Sequence, residues 1–482
     1  MVPSDARRDP SPDRDADLAW LKVQSERAGP ESAALRREID EGLRELADVQ
    51  EQQQKLIGET RAASAALAAI RASRTWRMLE AYRRVAGGIR AFRMRTSAAR
   101  AARRAVRRTL VVPASVRFGT LGVNLAGYIG AESGLGEAAR ASIRALEAAG
   151  VPVALNNVAG AQRTNDTTYT AFVDDHPHPF NLIHLNADNM ENFARKKGAS
   201  YFRDRYSIGF WFWELAQFRD DWLSAFGHVQ EVWVASTFAA GALRPVAPVP
   251  VVPMRLPVAF HRPPALGRSH FGIPDKPFVF LFTFDVSSQL ERKNPLAAIR
   301  AFRRAGFDRG QALLVLKYTN ADFDRAAVRR LHDEARDLDV RMLDGFMDRQ
   351  ELTALMNAAD CYVSLHRAEG FGVTMAEAMS LGIPVIATAY SGNMDFTTPE
   401  NSGLVDYKLV SLTRDYGPYL RGFQWADPDV AMAGVLMRRL VDEPAWREAL
   451  GRRGQADVIA HFDLAAAARA MRSRLEAIQT GT

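Results

Sequence analysis

Short apolar runs alternate with stretches of helical periodicity along most of this chain, and the alternation occurs in two series. The first series of runs is "VRFGTLGV", "VPVALNNV", "FNLIHLNA", "SIGFWFW", "EVWVAS" and "VPVVPM". The second is "FVFLFTF", "ALLVLKY", "VRMLDG", "CYVSLH" and "PVIATA". Runs this apolar fit strands buried on both faces, as in parallel sheets covered by crossover helices. The Pro-rich stretch "LPVAFHRPPALGRSHFGIPDKP" separates the series. The spacing therefore predicts an α/β chain with two facing, doubly wound Rossmann-like domains, at 113–265 and 266–455. A helix at 456–482 has the first domain as its candidate packing partner. In such sheets ligands bind beyond the carboxyl ends of the strands, so the polar residues after each strand are the ones to question.

The segment before these domains differs in kind. Residues 1–30, rich in Asp, Arg, Pro and Ser, read as a disordered tail. Over 31–70, Leu35, Ile39, Leu46, Val49, Leu56, Ala63, Leu67 and Ile70 keep one seam, interrupted by Gly42, Gln53 and Thr60. That spacing predicts a coiled coil joining chains into a homo-oligomer or packing on another helix; a lone solvated helix is the competing reading. Residues 71–112 form a basic amphipathic helical segment. Between Arg71 and Arg108 stand thirteen arginines and one acid, Glu80, or +12 of the chain's net +7, leaving 7 − 12 = −5 elsewhere. Trp76, Leu79, Tyr82, Ile89 and Phe92 interleave with them, which suits an anionic membrane surface. A merely solvated face competes with this reading. Nucleic acid is not expected, because no recognition module accompanies the charge.

No run of about 18 apolar residues occurs, and the N-terminus lacks the apolar core of a signal peptide. The single cysteine, Cys361, excludes an intramolecular disulfide. A cytoplasmic protein, peripheral on the inner face of the membrane, is the expectation. The cluster Asp174, Asp175, His176 and His178 in "DDHPHP" reads as a loop rather than a metal site.

Chemistry concentrates in "HRAEGFGVTMAEAMSLGIPVIAT". Glu369 falls in the loop beyond a strand and Glu377 inside the following helix, with Gly370 and Gly372 between them. Amides around Phe371, Gly372 and Val373 would point at an anion, assisted by the helix dipole. A diphosphate there would place its sugar near Glu369 and its ribose near Glu377. The bland alternative is a solvated Glu beside a helix-capping one. On the first domain, "NLAGYIGAESGLGEAARASIRAL" sets Gly134 and Gly136 before a helix, either as a ligand loop or as an ordinary βα turn. His184, Asn186 and Asp188 offer further polar contacts.

The Glu-x7-Glu block resembles the donor-site signature of retaining glycosyltransferases with the GT-B fold. It is most similar to family 4, which includes mannosyl- and rhamnosyltransferases of bacterial surface polysaccharides. The resemblance runs from about residue 117 to the C-terminus, through "EVWVASTFAAGAL", "FDVSSQLERKNPLAAIRAF", "MLDGFMDRQELTALMNAADCYVSL" and "YSGNMDF". It implies transfer of a sugar from a nucleotide diphosphate to a glycan or lipid-linked acceptor, without metal or cofactor. By that resemblance Glu369 meets the donor sugar and Glu377 the ribose, while amides of Phe371, Gly372 and Val373 hold the phosphates. Lys293 matches the family lysine that neutralises the diphosphate. The family arginine five residues earlier is replaced by Ser288, which makes Arg292 the candidate second cation. Glu132, Ser133, Gly134 and Gly136 become acceptor-side candidates. Where the family carries a histidine near the reacting centre, this chain has Trp211, Trp213 and Glu214. Aromatic faces suit sugar rings and a carboxylate binds hydroxyls, so Trp213 and Glu214 join the acceptor-side candidates, with a Trp pair in the core as the competing reading. Catalytic candidates are thus Glu369, Lys293 and Glu214. A non-catalytic scaffold with the same body is the alternative.

Overall fold

A computed structural model describes residues 116, 118–159, 166, 168–258 and 265–481. The expected tail, coiled coil and basic segment lie outside the described residues. Those described belong to one compact unit, Arg100–Thr482.

The first sheet contains β1 (Val123–Gly127), β2 (Val153–Asn157), β3 (Phe180–His184), β4 (Tyr206–Trp211), β5 (Glu231–Val234) and β6 (Val251–Pro253). They pair in parallel in the order β2-β1-β3-β4-β5-β6. β1 begins at Val123, later than the expected run at "VRFGTLGV". Gly122 packs directly on the His178 ring, and the paired backbone starts only after it. The second sheet contains β7 (Phe278–Asp285), β8 (Ala312–Thr319), β9 (Val340–Asp344), β10 (Cys361–Ser364), β11 (Val385–Thr388) and β12 (Gly403–Val405). Its order is β12-β11-β10-β7-β8-β9, also parallel.

Two order reversals follow from this topology. In the first sheet the chain crosses from β2 back over β1 to β3; in the second it crosses from β9 back over β7 to β10. Each leaves a crevice at the carboxyl ends of two adjacent strands whose loops diverge. The loop after β7 carries Arg292 and Lys293, and the loop after β10 carries Glu369. These loops come from sequence positions 76 residues apart, yet the topology makes them neighbours.

The helices that matter below are α1 (Gly134–Ala148), α2 (Thr237–Leu243), α3 (Pro295–Ala305), α4 (Arg349–Asn357), α5 (Val373–Ser380), α6 (Pro444–Phe462) and α7 (Leu464–Thr480). The chain ends on the first sheet. Arg474 of α7 makes a fork onto the fully buried Glu231 of β5 at 2.9 and 2.5 Å, and Arg472 donates to Ala149 O at 2.7 Å. A bidentate Arg–carboxylate pair fixes orientation as well as charge. After β12 an antiparallel hairpin, β13 (Tyr407–Ser411) and β14 (Gln424–Pro428), stands apart from both sheets. Among the described residues no helix is long and apolar enough to cross a membrane.

Candidate active site

The turn after β7 is held by residues with unusual backbone. Gln289 (φ 62°) and Asn294 (φ 58°) bracket the short helix Leu290–Lys293. Asn294 adopts the left-handed conformation that its type tolerates, and its side-chain amide donates to Leu365 O at 2.9 Å. Arg367 N donates to Arg292 O at 2.8 Å. Both bonds stitch the β7 turn to the β10 loop.

Glu369 sits on that loop and is only 9% exposed. Lys293 Nζ lies 2.6 Å from its Oε1, and Arg292 Nη1 lies 3.2 Å from its Oε2. Burial pushes the carboxyl up, but Lys293 and Arg292 outweigh it and hold Glu369 down at about 2. The carboxylate is therefore ionised at any physiological pH. Its own N–H donates to Ser391 Oγ at 2.8 Å, and Ser391 holds a left-handed φ of 79° to be there. Such strain persists only where surrounding contacts over-determine it.

The two cations do not stand alike. Arg292 donates to Ala368 O at 2.8 Å and Ser288 O at 3.2 Å and keeps 6% of its side chain exposed, against 20% for Lys293. Arg292, expected to meet the diphosphate, instead supports the Glu369 loop from inside. Lys293 is the cation that retains access.

Next to Glu369 the chain enters α5 through Gly372 at φ 96°, a conformation in which a side chain would also strike Met375. Among the described residues no acceptor faces the N–H groups of Phe371, Gly372, Val373 and Thr374. The Phe371 ring anchors this entry by packing on Phe396 and Phe462, with centroids 5.1 and 5.3 Å away. Ser236 Oγ, from the first domain, donates to Gly370 O at 2.6 Å while capping α2 by accepting from Ala239 N. Thr237 N donates to Asp395 Oδ2 at 2.8 Å. These bonds hold the loop against the first domain.

Glu377, in the second turn of α5, receives Arg349 Nη2 at 2.5 Å. The same guanidinium lies 3.6 Å from Glu137 Oε1 of α1, so Arg349 bridges the two domains. Burial raises Glu377, Arg349 pulls it back and the like charge of Glu137 adds to the rise. The net direction is upward, opposite to Glu369.

On the first domain the structure reassigns several expected contacts. Ser133 caps α1, its Oγ accepting from Gly136 N at 3.1 Å, so that amide is not free for a ligand. A side chain at Gly136 would collide with Ala131 O; its glycine serves close packing. Gly134 is exposed at the helix start, and Glu132 is half-buried with Oε2 lacking a partner among the described residues. Trp213 was the candidate sugar platform. Its indole is 1% exposed, wedged among Phe218, Trp222 and Tyr419, and donates to Gln217 O. Trp211 is equally buried. Neither offers a free face. Glu214, by contrast, reaches Tyr419 OH, which donates to its Oε2 at 2.9 Å. His184 is fully buried, stacked on Phe210 at 4.6 Å, and burial lowers it to about 3, so its ring is neutral. Among the described residues no three His, Cys, Asp or Glu side chains gather as metal ligands.

Sequence reading missed Ser236, Arg349, Ser391 and Tyr419. Ser236, Arg349 and Ser391 lie within stretches that carry the resemblance, and Ser236 also stands immediately before a helical run.

Residues 268–406, which contain Arg292, Lys293, Arg349, Glu369 and Glu377, match the family model for glycosyl transferases group 1. Residues 268–406 are thus similar to a group 1 glycosyl transferase domain. No match to a curated protein sequence is found. Among solved structures, the chain is similar to HepE of Anabaena, determined in complex with UDP and glucose, at 15% identity and a TM-score of 0.54. That alignment covers 74% of this chain and 100% of the other. Sucrose-phosphate synthase from Thermosynechococcus elongatus aligns at 18% identity and TM-score 0.55, over 75% of this chain and 100% of its own. A glycosyltransferase from Rickettsia africae aligns at 12% and 0.55, over 76% and 100%. At such identities the likeness establishes the GT-B fold alone.

Proposed function

We propose that the protein moves a sugar from a nucleotide-diphosphate donor to a glycan or lipid-linked glycan acceptor in surface polysaccharide assembly, with retention at the anomeric carbon. One observation carries the reading: buried, ionised Glu369 lies against Lys293 and beside four unpartnered amides at the start of α5, in the crevice between β7 and β10. The amides and Lys293 would hold the diphosphate, and Glu369 would accept hydroxyls of the donor sugar. Glu377 would take the ribose hydroxyls, with Arg349 sharing its carboxylate. UDP bound to HepE supports a nucleotide sugar as donor. In front-face transfer the diphosphate leaves as its oxygen takes the proton of the incoming hydroxyl. The protein supplies position and electrostatics, and no metal or cofactor enters the proposal.

A screen of UDP-, GDP- and dTDP-linked sugars by calorimetry and product analysis tests the donor. Within it the two carboxylates should separate. Glu377→Ala should weaken both the bare nucleotide diphosphate and the intact donor by about 10- to 150-fold, the cost of losing hydrogen bonds to a charged acceptor. Glu369→Ala should leave the bare nucleotide nearly unchanged while turnover falls. Equal weakening of the bare nucleotide by both changes would overturn this division.

The proposal extends to location: a cytoplasmic enzyme, peripheral on the inner face, held on anionic lipid through residues 71–108 and oligomeric through 31–70. Removing residues 1–110 should abolish sedimentation with phosphatidylserine vesicles, and salt should weaken binding of the full chain as the Debye length shortens. Sedimentation that persists after the deletion would place the lipid contact elsewhere.

A further inference from the structure

The β13–β14 hairpin begins where the family match ends, at residue 406, and its connecting loop 412–423 reaches the first domain. Arg219 Nη1 donates to Pro418 O at 2.7 Å, and Tyr419 packs on Trp213 with ring centroids 5.7 Å apart. On the other side Arg414 lies 3.4 Å from Glu291, in the short helix that carries Arg292 and Lys293. The loop thus touches both halves of the proposed site. Tyr419 itself is 3% exposed, its ring 5.9 Å from the Arg292 guanidinium and its hydroxyl donating to Glu214 Oε2. A chain of contacts runs Glu369–Arg292–Tyr419–Glu214, from the donor carboxylate to the acceptor-side one.

Packing explains a ring at this place but not its hydroxyl. A buried phenol requires a partner, and phenylalanine would fill the same space without that demand. Burial first, then the neighbouring Glu214 carboxylate against the pull of Arg292, raises the phenol well above its ordinary value, so it stays a donor.

We infer that Tyr419 is a positioning residue for transfer: its hydroxyl fixes the rotamer of Glu214 so that the second carboxylate oxygen is presented to the incoming acceptor hydroxyl. The inference rests on the proposed glycosyl transfer and on the acceptor-side role that the sequence leads one to expect of Glu214. The hairpin is then a strap that joins the two domains at the reacting centre, and its sequence sets how the acceptor is presented.

The test is a double-variant cycle with Tyr419→Phe, Glu214→Gln and the pair, using whichever of UDP-glucose, GDP-mannose and dTDP-rhamnose is turned over fastest. Diphosphate release is followed, and calorimetry with the matching nucleotide diphosphate reports that the donor domain is folded. Tyr419→Phe should lower kcat about 10-fold, the scale of one hydrogen bond to a charged group, with the donor KM and nucleotide affinity within two-fold of wild type. In the Glu214→Gln background the same change should cost less than two-fold, since its target is already altered. Arg219→Gln, which releases the loop from a half-buried position, should show a smaller loss that likewise disappears with Glu214→Gln. It serves the same cycle if Tyr419→Phe does not fold. A Glu214→Gln enzyme with wild-type kcat would remove the acceptor-side reading of Glu214 itself. A slow Glu214→Gln enzyme on which Tyr419→Phe or Arg219→Gln still imposes its full loss would overturn the inference about the strap alone.

Discussion

Lys293→Ala is expected to lower turnover by about 10²- to 10³-fold while the enzyme remains folded. Charge develops on the departing diphosphate during transfer, and a preorganised cation in a water-poor crevice is worth about 2.7–4 kcal/mol there. Lys293 alone among the cations at Glu369 retains access, because Arg292 is committed to Ala368 O, Ser288 O and the Glu369 carboxylate. The loss should fall on kcat more than on nucleotide affinity, because the interaction strengthens as the bond to the sugar breaks. Lys293→Arg should recover part of the rate: it keeps the charge but exchanges a compact ammonium for a planar fork. Steady-state rates beside calorimetry with the nucleotide diphosphate check both. An alanine enzyme within three-fold of wild type would mean that another group neutralises the leaving diphosphate.

Most of the fold was legible because parallel strands buried on both faces leave long apolar runs. "FVFLFTF" and "ALLVLKY" match β7 and β8 to within a residue at each end. The crevice was legible for the same reason: once strand order follows the Rossmann rule, the residues after β7 and β10 must be neighbours. What escaped were contacts set by side-chain direction rather than spacing. Trp213 and Glu214 are adjacent in sequence, yet one indole fills the core and the other side chain meets Tyr419, 205 residues away. Arg349 reaches Glu377 and Glu137 from a third element, and its local sequence signals neither contact. Ser133 and Gly136 were open to two readings, and the cap geometry selects the ordinary βα turn. Arg292 shows the same ambiguity in charge: a cation next to a binding lysine reads as a second ligand, but its burial makes it a brace.

Acid should expose the Glu369 cluster through stability, independently of any substrate. The folded-state value of Glu369 is about 2, below the ordinary 4.5. A depressed carboxylate contributes stability that is fully present above the unfolded value and is lost as pH falls through the folded one. The window is therefore from 4.5 down to about 2, and the contribution is on the order of 3 kcal/mol. Glu377 works in the opposite sense. Its raised value penalises the folded state at higher pH, and that penalty is relieved as pH falls towards 4.5, before Glu369 begins to titrate. Other lowered carboxylates, Glu137 among them, share the acid window, so the wild-type curve alone does not isolate Glu369. The difference from Glu369→Gln does. The amide keeps the shape but leaves Lys293 and Arg292 without a counter-charge, so the variant should be clearly less stable at pH 6. As the unfolded wild-type chain takes up a proton on Glu369 below pH 4.5 while the folded one stays ionised, the gap between the two urea-unfolding free energies should narrow steadily. A gap that stays constant from pH 6 to pH 3 would show that the Lys293–Glu369–Arg292 contacts do not hold the carboxylate ionised, and the electrostatic basis of the donor site would go with it.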